Sequence, residues 1–352
     1  MTVPTRRRLS LPRTWSLVAF GAAIGLTAGF APGIGSTTTA HAWHTLSLAR
    51  TSGSTLFQQE AEFDREQLLK DYIHYVLIAR PDLARGSARA LIDTDITPAE
   101  LYRLIDEIDA SDRLSDALDR SARIPELQEV AGELQSMIRQ GRIDVARDPA
   151  EIDRHINNLT GSARAQMMAR EGLRAAGEYA VPQLIDVLRS SASVAKKSAV
   201  RGVLVEIGRQ AVTPLTVLLP HADPVLQEQI AVMLGQIGWK HAQPALLELI
   251  RDNGTEPRVR QTAEQAYRML GGSMSDDLVE QWVALAEQYW AEFESLVAWP
   301  DEPMNNIWMY RPESIGLTMV QVPTEIFHEV MTMRVSENAL KVSSESDDAL
   351  AL

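Results

Sequence analysis

The chain of 352 residues is 45% hydrophobic and 23% charged, carries a formal net charge of −13 and has no cysteine. This composition is typical of a folded protein with a sizeable buried core. The lack of cysteine excludes disulfides and thiolate metal sites and fits an oxidising compartment. The excess of acid argues against nucleic acid or an anionic membrane surface as a partner.

Residues 1–42 have the pattern of a signal peptide. Four arginines precede the uncharged run WSLVAFGAAIGLTAGFA, and the segment ends in Ala40-His41-Ala42, whose alanines are the small residues that signal peptidase requires. We expect cleavage after Ala42 and a mature protein that is secreted to the periplasm or cell envelope. TRRRLSL also resembles a twin-arginine export motif, so the twin-arginine and general secretory routes both stay open.

An uncleaved membrane anchor is the alternative for this segment. The 17 residues Trp15–Ala31 are uncharged and just long enough to span a bilayer. The body of the protein would lie outside the cytoplasm in this case too.

Residues 43–56 are predicted to be a linker, and 57–147 an N-terminal helical unit. EFDREQLLKDYIHYVLIAR places apolar residues on one broad helix face, among them Leu69, Tyr72 and Leu77. Thr97-Pro98-Ala99-Glu100 has the form of a capping box with proline at the first helical position. We expect this unit to cover the exposed edge of the repeats that follow.

A repeat of 30 to 33 residues follows, marked by glycines at 177, 208, 238 and 271 and by prolines at 149, 182, 214 and 244. The residues one, four and eight positions before each glycine are all apolar or aromatic, which is the spacing of one helix face. Glycine at positive φ can close a helix, and proline is tolerated in the first turn of the next. Each period is therefore predicted to be helix A, a turn, helix B and a glycine.

The predicted A helices cover 149–159, 180–189, 211–219 and 241–251, and the predicted B helices cover 162–176, 194–207, 224–237 and 257–270. Since one helical pair cannot bury its apolar face alone, stacked pairs should share a continuous core. The fold class is thus all-α, a solenoid of about four helical pairs over 148–271.

These segments resemble HEAT repeats, in the short form also found in bilin-lyase-type HEAT proteins. The resemblance rests on LLPHADPVLQEQIAVMLGQIG and on the entries to helix B at 223–227 and 256–260, whereas the copy at 190–208 has Ser-Ala-Ser in place of the acidic-Pro turn. It implies a right-handed solenoid with helix B on the concave side. More widely, DYIHYVLIARPDLA and TEIFHEVMTMR are similar to segments of planctomycete exported HEAT-repeat proteins of unassigned role, which implies no activity.

Residues 272–342 are predicted to form an aromatic cap, and 343–352 a frayed tail. NIWMY and LTMVQV alternate like two strands of a hairpin, which should pack on the last helices because a lone hairpin is marginal in water. TEIFHEVMTMRVSENALK is predicted to be the last helix. Tryptophan faces can bind a sugar or a peptide, so the cap offers four candidate partner-binding residues, with burial in the cap as the alternative: Trp282, Trp290, Trp299 and Trp308.

Catalytic signatures are scarce. His328-Glu329 lacks the second histidine of the zinc-protease pattern. The HEAT-like iron hydroxylases repeat a His-Glu pair, but His221 and His241 have no adjacent glutamate. The sequence therefore predicts no catalytic residue, no metal and no cofactor.

Basic residues recur on helix B, eleven and seven positions before the glycines. Residues four apart share a helix face, and this face differs from the apolar one. They predict a broken basic stripe on the concave side that could bind a protein: Arg170, Lys197, Arg201 and Arg260. The alternative is a structural role, since HEAT repeats place an inter-repeat polar ladder at the first of these positions and a turn acid such as Asp223 could pair with Arg260.

Three functions follow from these patterns. The first is an exported scaffold or adaptor that binds another protein through its concave face or its aromatic cap. The second is a structural envelope spacer held by the uncleaved anchor, which would be its only membrane contact. The third is a bilin-lyase-like or other small-molecule enzyme, with His328 or Glu329 as proton carrier.

Overall fold

The computed structural model describes residues 65–312 and 316–352. The predicted signal peptide (1–42) and linker (43–56) lie outside the described residues. Among those described, no single helix is long and apolar enough to cross a membrane, and one pair bent by 117° meets that requirement only when both helices are counted together.

The N-terminal unit is helical and has a hydrophobic core of its own. Thr97 closes the predicted capping box, because its backbone N–H donates to Glu100 and its hydroxyl accepts from the Glu100 N–H. Leu69 and Tyr72 are buried as expected, whereas Leu77 is exposed. The helices of this unit are α1 (65–77), α2 (Pro81–Ile92), α3 (Pro98–Glu107), α4 (Ser111–Ser121) and α5 (Gln128–Arg147).

The predicted repeats are present as alternating helices. Each B helix lies close to its predicted bounds and contacts the next B helix, which makes one continuous row that we call the helix-B face. The A helices are α6 (Pro149–Asn158), α8 (Val181–Arg189), α10 (Arg209–Leu218) and α12 (Gln243–Arg251). The B helices are α7 (Ala163–Ala176), α9 (Val194–Ile207), α11 (Pro224–Ile237) and α13 (Pro257–Met269).

The four glycines close the B helices as predicted. All four have positive φ, between 59° and 89°. The prolines begin helices α6, α8 and α12, but Pro214 lies inside α10. In two other copies a short 3₁₀ turn fills the residues after the glycine, whereas α10 begins directly after Gly208 and so has turned once before it reaches the proline.

One hydrophobic core runs from Ile152 to Ala349 through the repeats and the C-terminal elements. The residues four positions before the glycines have no exposed surface: Leu173, Leu204, Leu234 and Tyr267. The model therefore shows the predicted all-α solenoid, and the C-terminal cap shares the core of its repeats.

The C-terminal cap consists of α14 (Leu278–Trp290), a 3₁₀ turn (Glu294–Leu296), strands β1 (Met304–Arg311) and β2 (Gly316–Pro323), and α15 (Thr324–Val342). The strands form the predicted antiparallel hairpin. We expect the hairpin on the last helices, but it packs on α10 of the third repeat and on α15. The chain between α14 and β1 carries it back along the A helices.

The tail also differs from the expectation. Asp347–Ala351 form a short helix, α16, that packs on α15. Ser346 caps its first turn and Ala349 is buried. The polar residues that suggest fraying thus act as the N-cap and as the acidic residues in the first turn of a helix.

Candidate functional site

A buried carboxylate joins the cap to the first repeat. Glu178 follows directly after Gly177 and is only 2% exposed. Its Oε1 accepts hydrogen bonds from Trp299 Nε1 at 3.2 Å and Asn306 Nδ2 at 2.7 Å, and its Oε2 accepts one from Trp308 Nε1 at 2.6 Å. Burial raises the pKa of Glu178, while these donors and Arg147 act in the opposite direction. We call this group the clasp.

Arg147, at the end of α5, extends the clasp. Its guanidinium donates to both carboxylate oxygens of Glu302, at 2.8 and 2.5 Å. It also lies 4.4 Å from the ring centroids of Tyr179 and Trp299, which is cation–π distance. The N-terminal unit, the first repeat and the cap thus meet at one bidentate arginine.

The clasp determines which tryptophans a partner can reach. Trp299 and Trp308 donate to Glu178 inside the protein, and Trp282 is 7% exposed. Trp290 is 58% exposed, next to the half-exposed Phe293. Of the four predicted tryptophans, Trp290 alone presents a large surface to solvent.

The helix-B face carries an open groove between α7 and α9, with a volume of about 740 Å³. Its residues include Met167, which is 64% exposed, together with Arg174 and Arg209. Arg170 crosses the groove and forms an ion pair with Glu206 of α9. Such half-exposed pairs add little to stability, so Arg170 can exchange its partner at small cost.

Lys197 and Arg201 lie on α9, the helix that Arg170 reaches. A Cβ added at Gly202 would be 3.6 Å from the Arg170 guanidinium. The Arg170 side chain therefore reaches the part of α9 that carries Arg201. Both residues are partly exposed, and neither has a hydrogen bond or ion pair in the part of the chain that the structure describes. The structure thus brings three of the four stripe residues to two neighbouring helices.

Arg260 has a different environment. Its Nη2 donates to the backbone carbonyls of Asp252 and Thr255 in the turn of its own repeat, at 2.9 and 3.2 Å. Gln166 and Gln227, at the equivalent position, donate to turn carbonyls in the same way. In these three repeats the bonds stay within the repeat, so they do not form the inter-repeat ladder suggested as an alternative. Arg260 does not pair with Asp223 either, because Asp223 caps α11.

A second space, which we call the cap cavity, lies between the A helices α10 and α12 and the cap elements α14, α15 and β1. Its volume is also about 740 Å³. His221 stacks on Tyr310 at its edge, with ring centroids 4.1 Å apart. Burial lowers the pKa of His241 to about 4. Burial also lowers the pKa of Arg334 and raises the pKa of Glu248.

His328 lies among aromatic rings. Its ring lies 6.0 Å from Phe327 and 6.4 Å from Tyr289, and its Nδ1 is buried without a hydrogen-bond partner. Among the described residues no three His, Asp or Glu side chains are grouped to hold a metal ion.

Sequence reasoning missed Glu178, Arg147 and the cap cavity. The sequence does contain a pattern from which Glu178 could have been inferred. Asn306 and Trp308 are two apart on a strand and therefore share a face, and a buried indole N–H needs an acceptor. A buried acid facing β1 could have been expected, although its identity could not.

The comparisons with known proteins concern the repeats alone. No curated protein and no solved structure matches the chain. Residues 181–268, which run from the start of α8 almost to the end of α13, match the family model of HEAT repeats, so this part of the solenoid is similar to the HEAT-repeat family.

Proposed function

We propose that the protein is an exported scaffold that binds another protein through the helix-B face. HEAT repeats generally mediate protein–protein interaction, and their stacked helices offer extended surfaces for it. The resemblance makes the helix-B face the concave side. The proposed site is the groove between α7 and α9 together with Lys197 and Arg201.

The proposal rests on two cationic side chains, Lys197 and Arg201, that are not paired with other described residues. Lys197 and Arg201 have no intramolecular partner within the described residues, whereas Arg260, at the position equivalent to Lys197, donates to two turn carbonyls. They lie on α9, whose Glu206 and Ile207 line the groove that exposes the apolar side chain of Met167. Free cations beside exposed apolar surface favour an acidic protein segment with an apolar anchor residue.

Export is the second part of the proposal, and its support is the pattern of residues 1–42. The basic start, the apolar run and Ala40-His41-Ala42 are typical of a signal peptide. We place the partner in the periplasm or cell envelope for this reason. N-terminal sequencing of the protein from the envelope would test cleavage after Ala42, and an intact N-terminus would favour the anchored spacer.

Site-specific photo-crosslinking tests the binding site. A crosslinking amino acid replaces Arg174 in the groove of the full chain, and in a second preparation it replaces the exposed Arg113 of α4. We expect a crosslinked protein from position 174 and not from 113. Equal crosslinking at both positions would contradict the proposed site, and none at either would favour the spacer.

A further inference from the structure

The cap cavity contains a cation that interacts electrostatically with Glu337 but makes no hydrogen bond or ion pair with it. Arg334 of α15 lines it and is partly buried, yet it has no hydrogen bond or ion pair among the described residues. The other cation, Lys341, donates to Asn338 at 3.0 Å. A partly buried guanidinium that has no acceptor within the protein favours a bound anion.

The acids of the cavity limit the charge of that anion. Glu248 and Glu337 also line the cavity, so a phosphate or a polyanion would meet repulsion within a few ångströms. Asp252 is not available to a ligand in the same way, because its carboxylate accepts from Gly254 and Thr255. The charge pattern therefore suits a single carboxylate that faces Arg334.

The remaining wall is largely apolar and aromatic. Leu249, Leu285, Met331 and Val335 are buried residues that line it, and Trp282 and Tyr289 contribute ring surface. A cavity of about 740 Å³ lies within the range of about 300–1,000 Å³ that is usual for small-molecule sites. An apolar body of one or two rings, or a short alkyl chain, would fit against this wall.

We propose that the cap cavity binds a small carboxylate with an apolar body, with the carboxylate on Arg334. The guanidinium can hold a carboxylate through two parallel N–H bonds. This site lies on the A helices under the cap and does not depend on the helix-B face, so the proposal stands or falls separately from the scaffold function.

Calorimetric titration of the purified full chain with 1-naphthoate and with hexanoate tests the proposal, with hexylamine as the probe of opposite charge. We expect saturable binding of at least one carboxylate with a Kd of about 1 mM or tighter. Arg334→Gln should weaken it about tenfold or more, since a charge-assisted hydrogen bond is lost, and Arg334→Lys should restore part of it.

Two further variants separate the site from general damage. Val217→Phe adds bulk at the cavity wall, keeps Arg334 and should also abolish binding. Arg164→Gln removes an exposed arginine of α7 far from the cavity and should leave binding unchanged. No saturable binding of either carboxylate, equal binding by Arg334→Gln, or equal binding of hexylamine would each overturn the proposal.

Discussion

Trp308 Nε1 donates a 2.6 Å hydrogen bond to Glu178 Oε2, 130 residues earlier in the chain. An open solenoid has contacts only between neighbouring repeats. Here the cap returns along the A helices and bonds to Glu178, which directly follows the glycine of the first repeat. The clasp thus joins the end of the described chain to the beginning of its repeats.

We expect Glu178→Gln to weaken the clasp. The amide nitrogen of glutamine would face an indole N–H, so one buried donor loses its acceptor, at a cost of about 1–3 kcal/mol in the free energy of unfolding. Urea unfolding followed by tryptophan fluorescence measures this, because the described tryptophans all lie at residue 239 or later.

Glu287→Gln is the matched control, since Glu287 of α14 is exposed and has no side-chain partner among the described residues. We expect it to stay within about 0.5 kcal/mol of the wild type. A Glu178→Gln protein as stable as this control would show that the clasp does not hold the cap.

Gly177→Ala should cost more than Gly208→Ala. The two glycines have nearly the same backbone, with φ 59° and ψ −131° against φ 70° and ψ −129°. A Cβ at 177 would lie 2.2 Å from Gln210 Oε1 and 2.9 Å from a Trp299 ring carbon, whereas at 208 the nearest atom is 3.9 Å away.

Because the strain from positive φ is common to both, the difference between them measures the space that the cap leaves at Gly177. We expect about 1–3 kcal/mol of additional destabilisation at 177 from overpacking, measured by urea unfolding of both variants. Equal losses would mean that Trp299 and Gln210 move aside freely.

Arg260→Met and Lys197→Met change the same position of two repeats and should differ in effect. Arg260 donates to two turn carbonyls, and methionine cannot donate a hydrogen bond, so its loss should cost about 1–2 kcal/mol. Lys197 has no partner among the described residues, and its replacement should change stability by less than about 0.5 kcal/mol. Thermal or urea unfolding distinguishes them, and a costly Lys197→Met would assign that residue a structural role.

Acid should destabilise the protein through His241. Its pKa is lowered to about 4, chiefly by burial and secondarily by Arg209. The folded state thus favours the neutral imidazole. Its contribution to stability is complete above about pH 6.5, the ordinary histidine pKa, and is lost as the pH falls from there through about 4.

Between pH 7 and pH 4.5 we expect the free energy of unfolding of the wild type to fall by about 1–2 kcal/mol more than that of His241→Gln. A value near the lower end is expected because the ring borders the cavity and is reached by water. Glu178 and Glu248, whose pKa is raised, increase the free energy of unfolding as the pH falls, but both proteins contain them and the effect cancels in the comparison. His74→Gln, at an exposed site, serves as the control. The same pH dependence in all three proteins would refute this assignment.

The sequence was sufficient for features that local rules decide. Glycine closes each B helix because positive φ is local to it, and the residues predicted four positions before each glycine are fully buried. Pro214 shows the limit of the rule. A proline predicts the first turn only when the preceding residues are not yet helical, and after Gly208 they are.

Features that depend on contacts between residues far apart in the chain could not be predicted from the sequence. Glu178 follows a helix-ending glycine, where an acid is usually solvated, and its burial depends on indoles 121 and 130 residues later. The basic stripe was predicted from two positions of helix B, but the turn carbonyls that engage Arg260 become apparent only when the repeat is folded. Lys197 occupies the same position as Arg260 and differs from it through its surroundings.

Crosslinking from position 174 in a charge-reversed protein tests the central claim most directly. Lys197→Glu/Arg201→Glu breaks no intramolecular pair among the described residues, and Arg113→Glu/Arg123→Glu makes the same charge change at exposed, unpaired arginines of the N-terminal unit. We predict that the first variant loses the crosslinked protein while remaining as helical as the wild type, and that the second retains it. Retention by both variants would contradict binding through the helix-B face.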